Sequence, residues 1–318
     1  MKPKISVIGA GNVGAQCAYR LAMNLNGSWL AQRQAGEIVL LDVVEGLPQG
    51  KALDMSQAGA LDGFDVSVTG TNKYEETKNS QVVVITAGLA RKPGMSRDDL
   101  INKNAEIMKG VVSNVVKYSP DAILLIVTNP LDVMTYYALR ISNFPANRVI
   151  GMAPLLDAAR MRYFIAQTAK APISQVYTEV LGSHGDLMVP VPRFSTVNGK
   201  PITDLLTAEQ IKTVVEKTTN GGAEIVALLK TGSAYYAPGS AAARMAAAIV
   251  KDEKTVINSC CLLSGQYGIK DVCLGVPARL GKRGVEEIVE LELSAEEMIA
   301  LKKAAQAVKE LCSVLPGN

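Results

Sequence analysis

The chain has a single histidine, His184, set between glycines in Leu181-Gly182-Ser183-His184-Gly185-Asp186. An imidazole titrates near pH ~6.5, so at neutral pH it can take up or release a proton. The flanking glycines predict a corner poor in side chains, where a ligand can approach the ring. A lone histidine also occurs as a plain surface or core residue, so acid–base chemistry requires partners. Asp157 and Arg160 fall at i and i+3 of a helix opened by Pro154, and so share one face. Either the two pair with each other, or Asp157 serves an imidazole N–H while the planar fork of Arg160 takes a substrate carboxylate. Arg91 and Arg97 flank Pro93-Gly94, a loop signal. That stretch is either a solvated basic loop or a segment that folds over a ligand.

These residues need a scaffold, and the first half of the chain supplies a recognisable one. Lys4–Gly9 is a β-branched run that predicts a buried strand. It leads into Gly9-Ala10-Gly11-Asn12-Val13-Gly14 and then a helical pattern from Val13 to Met23. In that context the glycines allow a tight turn, a close approach of backbone N–H groups to a pyrophosphate, and close helix–strand packing. The next strand, Glu37–Leu41, ends at Asp42, whose carboxylate suits ribose hydroxyls and repels a 2′-phosphate, favouring NAD over NADP. Asp42 lies well beyond the usual ~20 residues after such a loop. The extra length falls in 24–36, which carries the only tryptophan, Trp29.

Further strands are expected at Val66–Thr69, Val82–Thr86, Ile123–Thr128 and Arg148–Gly151, with helices at Gly46–Gln57, Asp98–Lys117 and Leu131–Ser142. This alternation predicts a doubly wound parallel sheet with its ligand beyond the carboxyl ends of the strands. Those ends carry Thr86-Ala87-Gly88 and Thr128-Asn129-Pro130 beside the glycine loop. Beyond His184 the pattern changes. Strands Met188–Val197 and Lys200–Ile202 flank the hairpin signal Asn198-Gly199. Helices are expected at Thr207–Thr218, Ala223–Leu229 and Ser240–Lys251, and strands at Thr255–Ser264, Asp271–Pro277 and Glu286–Leu291. Capping boxes open helices at Thr207 and at Ser294. The expected architecture is α/β: a dinucleotide-binding domain, residues 1–151, followed by an α+β substrate domain, residues 152–318.

Composition excludes several classes. A net charge of +3 with no basic run interleaved with aromatics gives no case for nucleic acid. The apolar runs are far shorter than the ~20 residues a membrane helix needs. No apolar leader with a cleavage site is visible, so the expected location is the cytoplasm. Five cysteines without a CxxC pattern read as buried free thiols, and one histidine makes a zinc site improbable, so no metal is expected.

Over nearly its whole length the sequence resembles the lactate/malate dehydrogenase family. The stretches that carry the resemblance are VIGAGNVGA (7–15), VLLDVVEGLPQGKALDM (39–55), ITAGLARKPGMSRDDL (85–100), IVTNPLDVMTY (126–136), LDAARMR (156–162), LGSHGDLMVP (181–190), LKTGSAYYAP (229–238) and VPARLGKRGVEEIVEL (276–291). The resemblance implies a Rossmann domain that binds NAD through Gly9, Gly11, Asn12, Val13, Gly14, Asp42, Thr86, Ala87, Gly88, Asn104, Thr128 and Asn129. It implies His184 as proton donor and acceptor, oriented by Asp157. It implies Arg160 on the substrate's C1 carboxylate, Arg97 on a mobile loop polarising the carbonyl, and Asn129 near the nicotinamide. Arg91 stands at the family's substrate-selecting position, where arginine goes with a dicarboxylate and glutamine with a monocarboxylate. An unpaired Arg91 in a closing site would cost about 2–5 kcal/mol, or roughly thirtyfold to several thousandfold in rate.

The expected activity is therefore interconversion of (S)-malate and oxaloacetate, a step of the tricarboxylic acid cycle, by a homodimer or homotetramer. The alternatives are lactate or another 2-hydroxyacid as substrate and, more remotely, a non-catalytic dinucleotide-binding protein. Departures from the family are Pro154 in place of a usual glycine, Ser183 beside the histidine, and the long 24–36 segment.

Overall fold

The computed structural model describes residues 3–25, 36–90 and 94–317. Most of the 24–36 segment with Trp29, and Arg91, Lys92 and Pro93, lie outside the described residues. The first half alternates as expected: β1 (Lys4–Ile8), α1 (Asn12–Asn24), β2 (Glu37–Leu41), α2 (Leu47–Asp62), β3 (Ser67–Thr71), β4 (Val82–Ile85), α3 (Arg97–Tyr118), β5 (Ile123–Ile126), α4 (Leu131–Ser142) and β6 (Val149–Gly151). The strands pair in parallel in the order β3-β2-β1-β4-β5-β6. β4 and β5 are buried at every position, which is why they read as unbroken apolar runs rather than alternating ones. The order reverses between β1 and β4, so the crevice beyond their carboxyl ends is the natural ligand site.

The second half contains α5 (Ala153–Ala169), β7 (Val176–Tyr177), β8 (Val180–Gly182), β9 (Met188–Pro190), β10 (Thr196–Val197), β11 (Lys200–Pro201), α6 (Ala208–Leu229), α7 (Tyr236–Val250), β12 (Thr255–Ser264), β13 (Lys270–Gly281), β14 (Gly284–Ile288) and α8 (Ala295–Cys312). It does not form a sheet apart from the first. β12 adds antiparallel to β6 through Cys260 and Gly151, and β13, β8 and β9 follow, with β14 on β13, giving one mixed eleven-stranded sheet. One continuous core accordingly runs from β1, β4 and β5 through α7 to β12 and β13. α7 packs closely on α1: a Cβ at Gly239 would lie 2.7 Å from Gln16 and 3.0 Å from the Val13 carbonyl.

Two expectations fail locally. Met188–Val197 is not one strand. Pro190 and Pro192 interrupt it with a 3₁₀ turn at Pro192–Phe194, so β9 joins the large sheet and β10 joins the small sheet β11-β10-β7. Proline removes the ladder donor and favours such breaks. The hairpin at Asn198-Gly199 is present, with Val197 opposite Lys200. Second, Thr207–Thr218 and Ala223–Leu229 are one helix, α6, which runs through Asn220-Gly221-Gly222 and packs on α5. Tertiary packing here overrides the helix-breaking tendency of paired glycines. The capping boxes of α6 and α8 are formed, and Ser96 and Asp99 form a third at the start of α3.

No helix among the described residues is long and apolar enough to cross a membrane. All five cysteines are buried free thiols.

Candidate active site

The crevice at the β1/β4 reversal is shaped mainly by backbone. Gly9 has φ +107°, and a Cβ there would lie 2.6 Å from the Thr86 hydroxyl and 2.8 Å from the Ala87 nitrogen. A Cβ on Gly14 would lie 1.8 Å from the Gly9 carbonyl oxygen, so α1 and β1 meet as closely as backbone allows. Gly11 faces open space, no side chain caps α1, and its first turn carries no acid. That is the form of an anion site at a helix N-terminus. At the tip of β2, Asp42 accepts the Ala10 N–H at 2.6 Å and the Val44 N–H at 3.0 Å, and Lys51 donates to the Ala10 carbonyl at 2.7 Å. Burial, with a contribution from the Asp42 charge, pushes the nearby Tyr74 hydroxyl up to about 12, so it stays a neutral hydrogen-bonding group. An open glycine at an uncapped helix start, with a carboxylate at the next strand tip, fits a dinucleotide with free ribose hydroxyls.

The remaining crevice residues are held by side chains turned toward the backbone. Thr86 donates to the carbonyls of Ile8 and Gly9, and Thr128 to that of Ala87 at 2.7 Å. A Cβ on Gly88 would lie 2.5 Å from Thr128 Cγ2. Asn104 is fully buried on α3; its amide accepts the Leu89 N–H and donates to the carbonyls of Leu89 and Asn129. It thus ties the loop after β4 to the loop after β5, with both ends of its amide engaged by backbone. Asn129 follows β5, joined to Pro130 by a cis peptide.

The His184 pocket is assembled from distant segments. The turn between β8 and β9 carries the imidazole; Gly182 takes φ +88° there, and a Cβ on it would strike the Leu187 carbonyl at 2.9 Å. His184 Nδ1 lies 2.9 Å from Asp157 Oδ2, while Arg160 Nη1 donates to Asp157 Oδ1 at 3.1 Å. The ion pair with Arg160 and the bond to the imidazole therefore coexist, one carboxylate oxygen serving each partner. Asp157 is 2% exposed. A carboxylate on Nδ1 makes that nitrogen the N–H donor and leaves Nε2 as the exchanging one. Burial alone would lower the basicity of His184. The charge and hydrogen bond of Asp157, with the charge of Asp132, outweigh both burial and Arg160 and hold the imidazole above its ordinary value.

His184, Arg160, Asn129 and Val13 of the glycine loop line one cavity of about 330 Å³ with residues of α6. Arg97 is the first, exposed residue of α3 rather than a loop residue. It borders a neighbouring cavity that shares His184, Gly185 and Asp186 with the first. Arg91 lies outside the described residues.

Sequence reasoning missed two features. Gly221 and Gly222 lie beneath Arg160; a Cβ on Gly222 would sit 3.3 Å from Nη2 and 3.5 Å from Nη1. The signal was present, since two glycines inside a capped helix are each less favourable than alanine by about 1 kcal/mol and call for a local reason. The other is Asp132, whose Oδ2 accepts the His184 backbone N–H at 2.9 Å. An acid in the first turn of a helix reads in sequence only as a match to the helix dipole.

Residues 3–151 match the lactate/malate dehydrogenase NAD-binding domain and residues 155–313 the alpha/beta C-terminal domain of the same family. A protein named malate dehydrogenase from Roseiflexus castenholzii is 48% identical over 99% of both chains, and one from Chlorobium luteolum 51% identical over 97% of both. Among solved structures, a malate dehydrogenase from Salinibacter ruber superposes with TM-score 0.91 at 46% identity, covering 98% of this chain and 97% of its own. A lactate dehydrogenase from Cryptosporidium parvum, complexed with lactic acid and nicotinamide adenine dinucleotide, superposes with TM-score 0.93 at 40% identity, covering 100% and 99%. With both domains matched and a glycine-loop crevice opening beside an Asp157-bonded histidine, the chain belongs to the lactate/malate dehydrogenase family.

Proposed function

We propose that this chain catalyses reversible, NAD-dependent hydride transfer between (S)-malate and oxaloacetate. The observation that carries the reading is the carboxylate of Asp157, which bonds His184 with one oxygen and Arg160 with the other in a cavity walled by Val13 of the glycine loop. When bound, the nicotinamide supplies the hydride acceptor or donor. Gly9, Gly11, Asn12, Val13, Gly14 and Asp42 hold the dinucleotide, and Thr86, Ala87, Gly88, Asn104, Thr128 and Asn129 shape its remaining wall.

In the reduction, His184 donates its Nε2 proton to the carbonyl oxygen; in the oxidation, it takes the hydroxyl proton. Asp157 keeps Nδ1 protonated and favours the imidazolium, which is the form needed to start reduction. Arg160 offers its remaining N–H donors to the C1 carboxylate, with Gly221 and Gly222 leaving room for the guanidinium. Arg97, which borders the adjoining cavity on the His184 turn, polarises the carbonyl, and Asn129 contacts substrate near the nicotinamide. Arg91 pairs with the second carboxylate, a role that rests on the sequence pattern. We place the enzyme in the cytoplasm as a homodimer or homotetramer serving the tricarboxylic acid cycle.

The likeness to the Cryptosporidium lactate dehydrogenase supports a second reading, a monocarboxylate substrate, because the two activities share this fold. Steady-state kcat/KM with NADH, measured for oxaloacetate and pyruvate on one preparation, decides between them. A preference for oxaloacetate of about a hundredfold or more is expected, with Arg91→Gln shifting it toward pyruvate. A wild-type preference for pyruvate would overturn the substrate assignment while leaving the His184 chemistry in place.

A further inference from the structure

Lys51 stands in the second turn of α2, half-buried, and its side chain turns back to the glycine loop. A surface lysine ordinarily lays its stem on apolar surface and carries the ammonium out to water. Here the ammonium donates to the Ala10 carbonyl at 2.7 Å. Among the described residues it pairs with no carboxylate and meets no second acceptor. An ammonium has three N–H donors, so two are left over at the lip of the dinucleotide crevice.

Ala10 fixes where that lip lies. Its N–H donates to Asp42 Oδ2 at 2.6 Å while its carbonyl accepts from Lys51, so a carboxylate and an ammonium grip one residue of the glycine loop by its two polar ends. The other groups of this rim are engaged with one another. The Val44 N–H donates to Asp42 Oδ1 at 3.0 Å, the Asn72 amide donates to the carbonyls of Asp42 and Val44, and the Gln49 amide donates to Asn72 Oδ1 at 2.6 Å. Asp42 can only accept, whereas each hydroxyl of a ribose diol both donates and accepts. A carboxylate by itself meets half of what the diol presents. The spare donors of Lys51 supply the other half.

We propose that Lys51 is a further cofactor-binding residue, donating to an oxygen of the adenosine ribose diol whose hydroxyl protons go to Asp42. The inference rests on the glycine-loop crevice being the NAD site. Lys51 then has two effects, recognition of the sugar and retention of the loop at Ala10. They are separable, because only the first depends on the hydroxyls.

The test is a chemical cycle read by binding. Adenosine 5′-monophosphate and its 2′,3′-dideoxy analogue each compete against NADH, followed by NADH fluorescence, on the wild type and on Lys51→Met. The methionine keeps the length of the stem and removes the donors. The Kd for NADH rises about tenfold, the share of one hydrogen bond to a charged group. The wild-type preference for the nucleotide bearing both hydroxyls shrinks about tenfold in Lys51→Met. If both nucleotides weaken equally, Lys51 only holds the loop and the proposal falls. Lys51→Arg, which keeps N–H donors at this place, retains the preference; a preference as low as that of Lys51→Met overturns the proposal as well. A wild type that fails to bind NADH would remove the cofactor site itself. A wild type that binds NADH and discriminates, beside a Lys51→Met that discriminates equally, would sink the role of Lys51 alone.

Discussion

Val13 belongs to both the glycine loop and the wall of the His184 cavity, yet the two regions that meet there are built in opposite ways. The nucleotide end is contiguous in sequence from Gly9 to Gly14, and its shape is the shape of backbone packed on backbone. The polar side chains around it, Thr86, Thr128 and Asn104, bond to main-chain carbonyls and N–H groups and keep the loops in place. The His184 pocket is the reverse. Its groups come from α4, α5, α6 and the β8–β9 turn, and its properties reside in side-chain charges, with two buried carboxylates set against one imidazole and one guanidinium. A backbone-built site tolerates almost no added volume. A charge-built site tolerates volume better but depends on every charge being matched.

The largest effect expected of that contrast is at Gly14. In Gly14→Val the new Cβ meets the Gly9 carbonyl at 1.8 Å with no side chain able to yield. NADH binding should be lost, and stability should fall by about 3 kcal/mol or more by urea denaturation. A valine variant that binds NADH normally would show that the loop does not owe its shape to this contact.

Next comes Asp157→Asn, which removes a buried charge serving two partners. Breaking such a pair destabilises by about 3–5 kcal/mol, and the loss should depend on pH. His184 is held above its ordinary value in the fold, so its pairing stabilises fully below pH ~6.5 and fades as pH rises through the folded value. The drop in Tm should therefore be larger at pH 6 than at pH 9, the remainder at high pH being the share of Arg160. A drop independent of pH would mean that the imidazole is not the main partner.

The smallest effect is at Gly222→Ala, where the added methyl presses on Arg160 Nη2 at 3.3 Å. KM for oxaloacetate should rise severalfold, roughly 1 kcal/mol. The helix-propensity gain of about 1 kcal/mol should leave Tm unchanged or higher. Unchanged KM would remove the glycine pair from the account of how Arg160 is seated.

The parallel sheet, the glycine loop and the acid at Asp42 were legible because each is a local pattern: an apolar run, a turn, a helix start. The errors arose where a local rule met a tertiary one. Paired glycines read as a helix end, but α6 continues because α5 packs on it and needs the space for Arg160. Arg97 read as part of a loop, but Ser96 caps α3 and makes Arg97 its first residue. Asn104, expected among the cofactor contacts, has its amide engaged by the backbone of the loops after β4 and β5. In the pocket, the i, i+3 spacing of Asp157 and Arg160 was visible, and the sharing of one carboxylate between Arg160 and His184 was not.

By itself the sequence determined the alternation of strands and helices, the glycine-loop start of α1, and the set of residue types able to move a proton and bind carboxylates. These follow from periodicity and from the chemistry of side chains a few residues apart. Only the tertiary structure decided that the second half extends the first sheet through Gly151 and Cys260, and that Asp132 and Asp157 converge on His184 from different helices. Convergence of that kind depends on how whole elements pack, because hydrophobic burial is non-directional, and it is the packed elements that bring distant charges within hydrogen-bond reach.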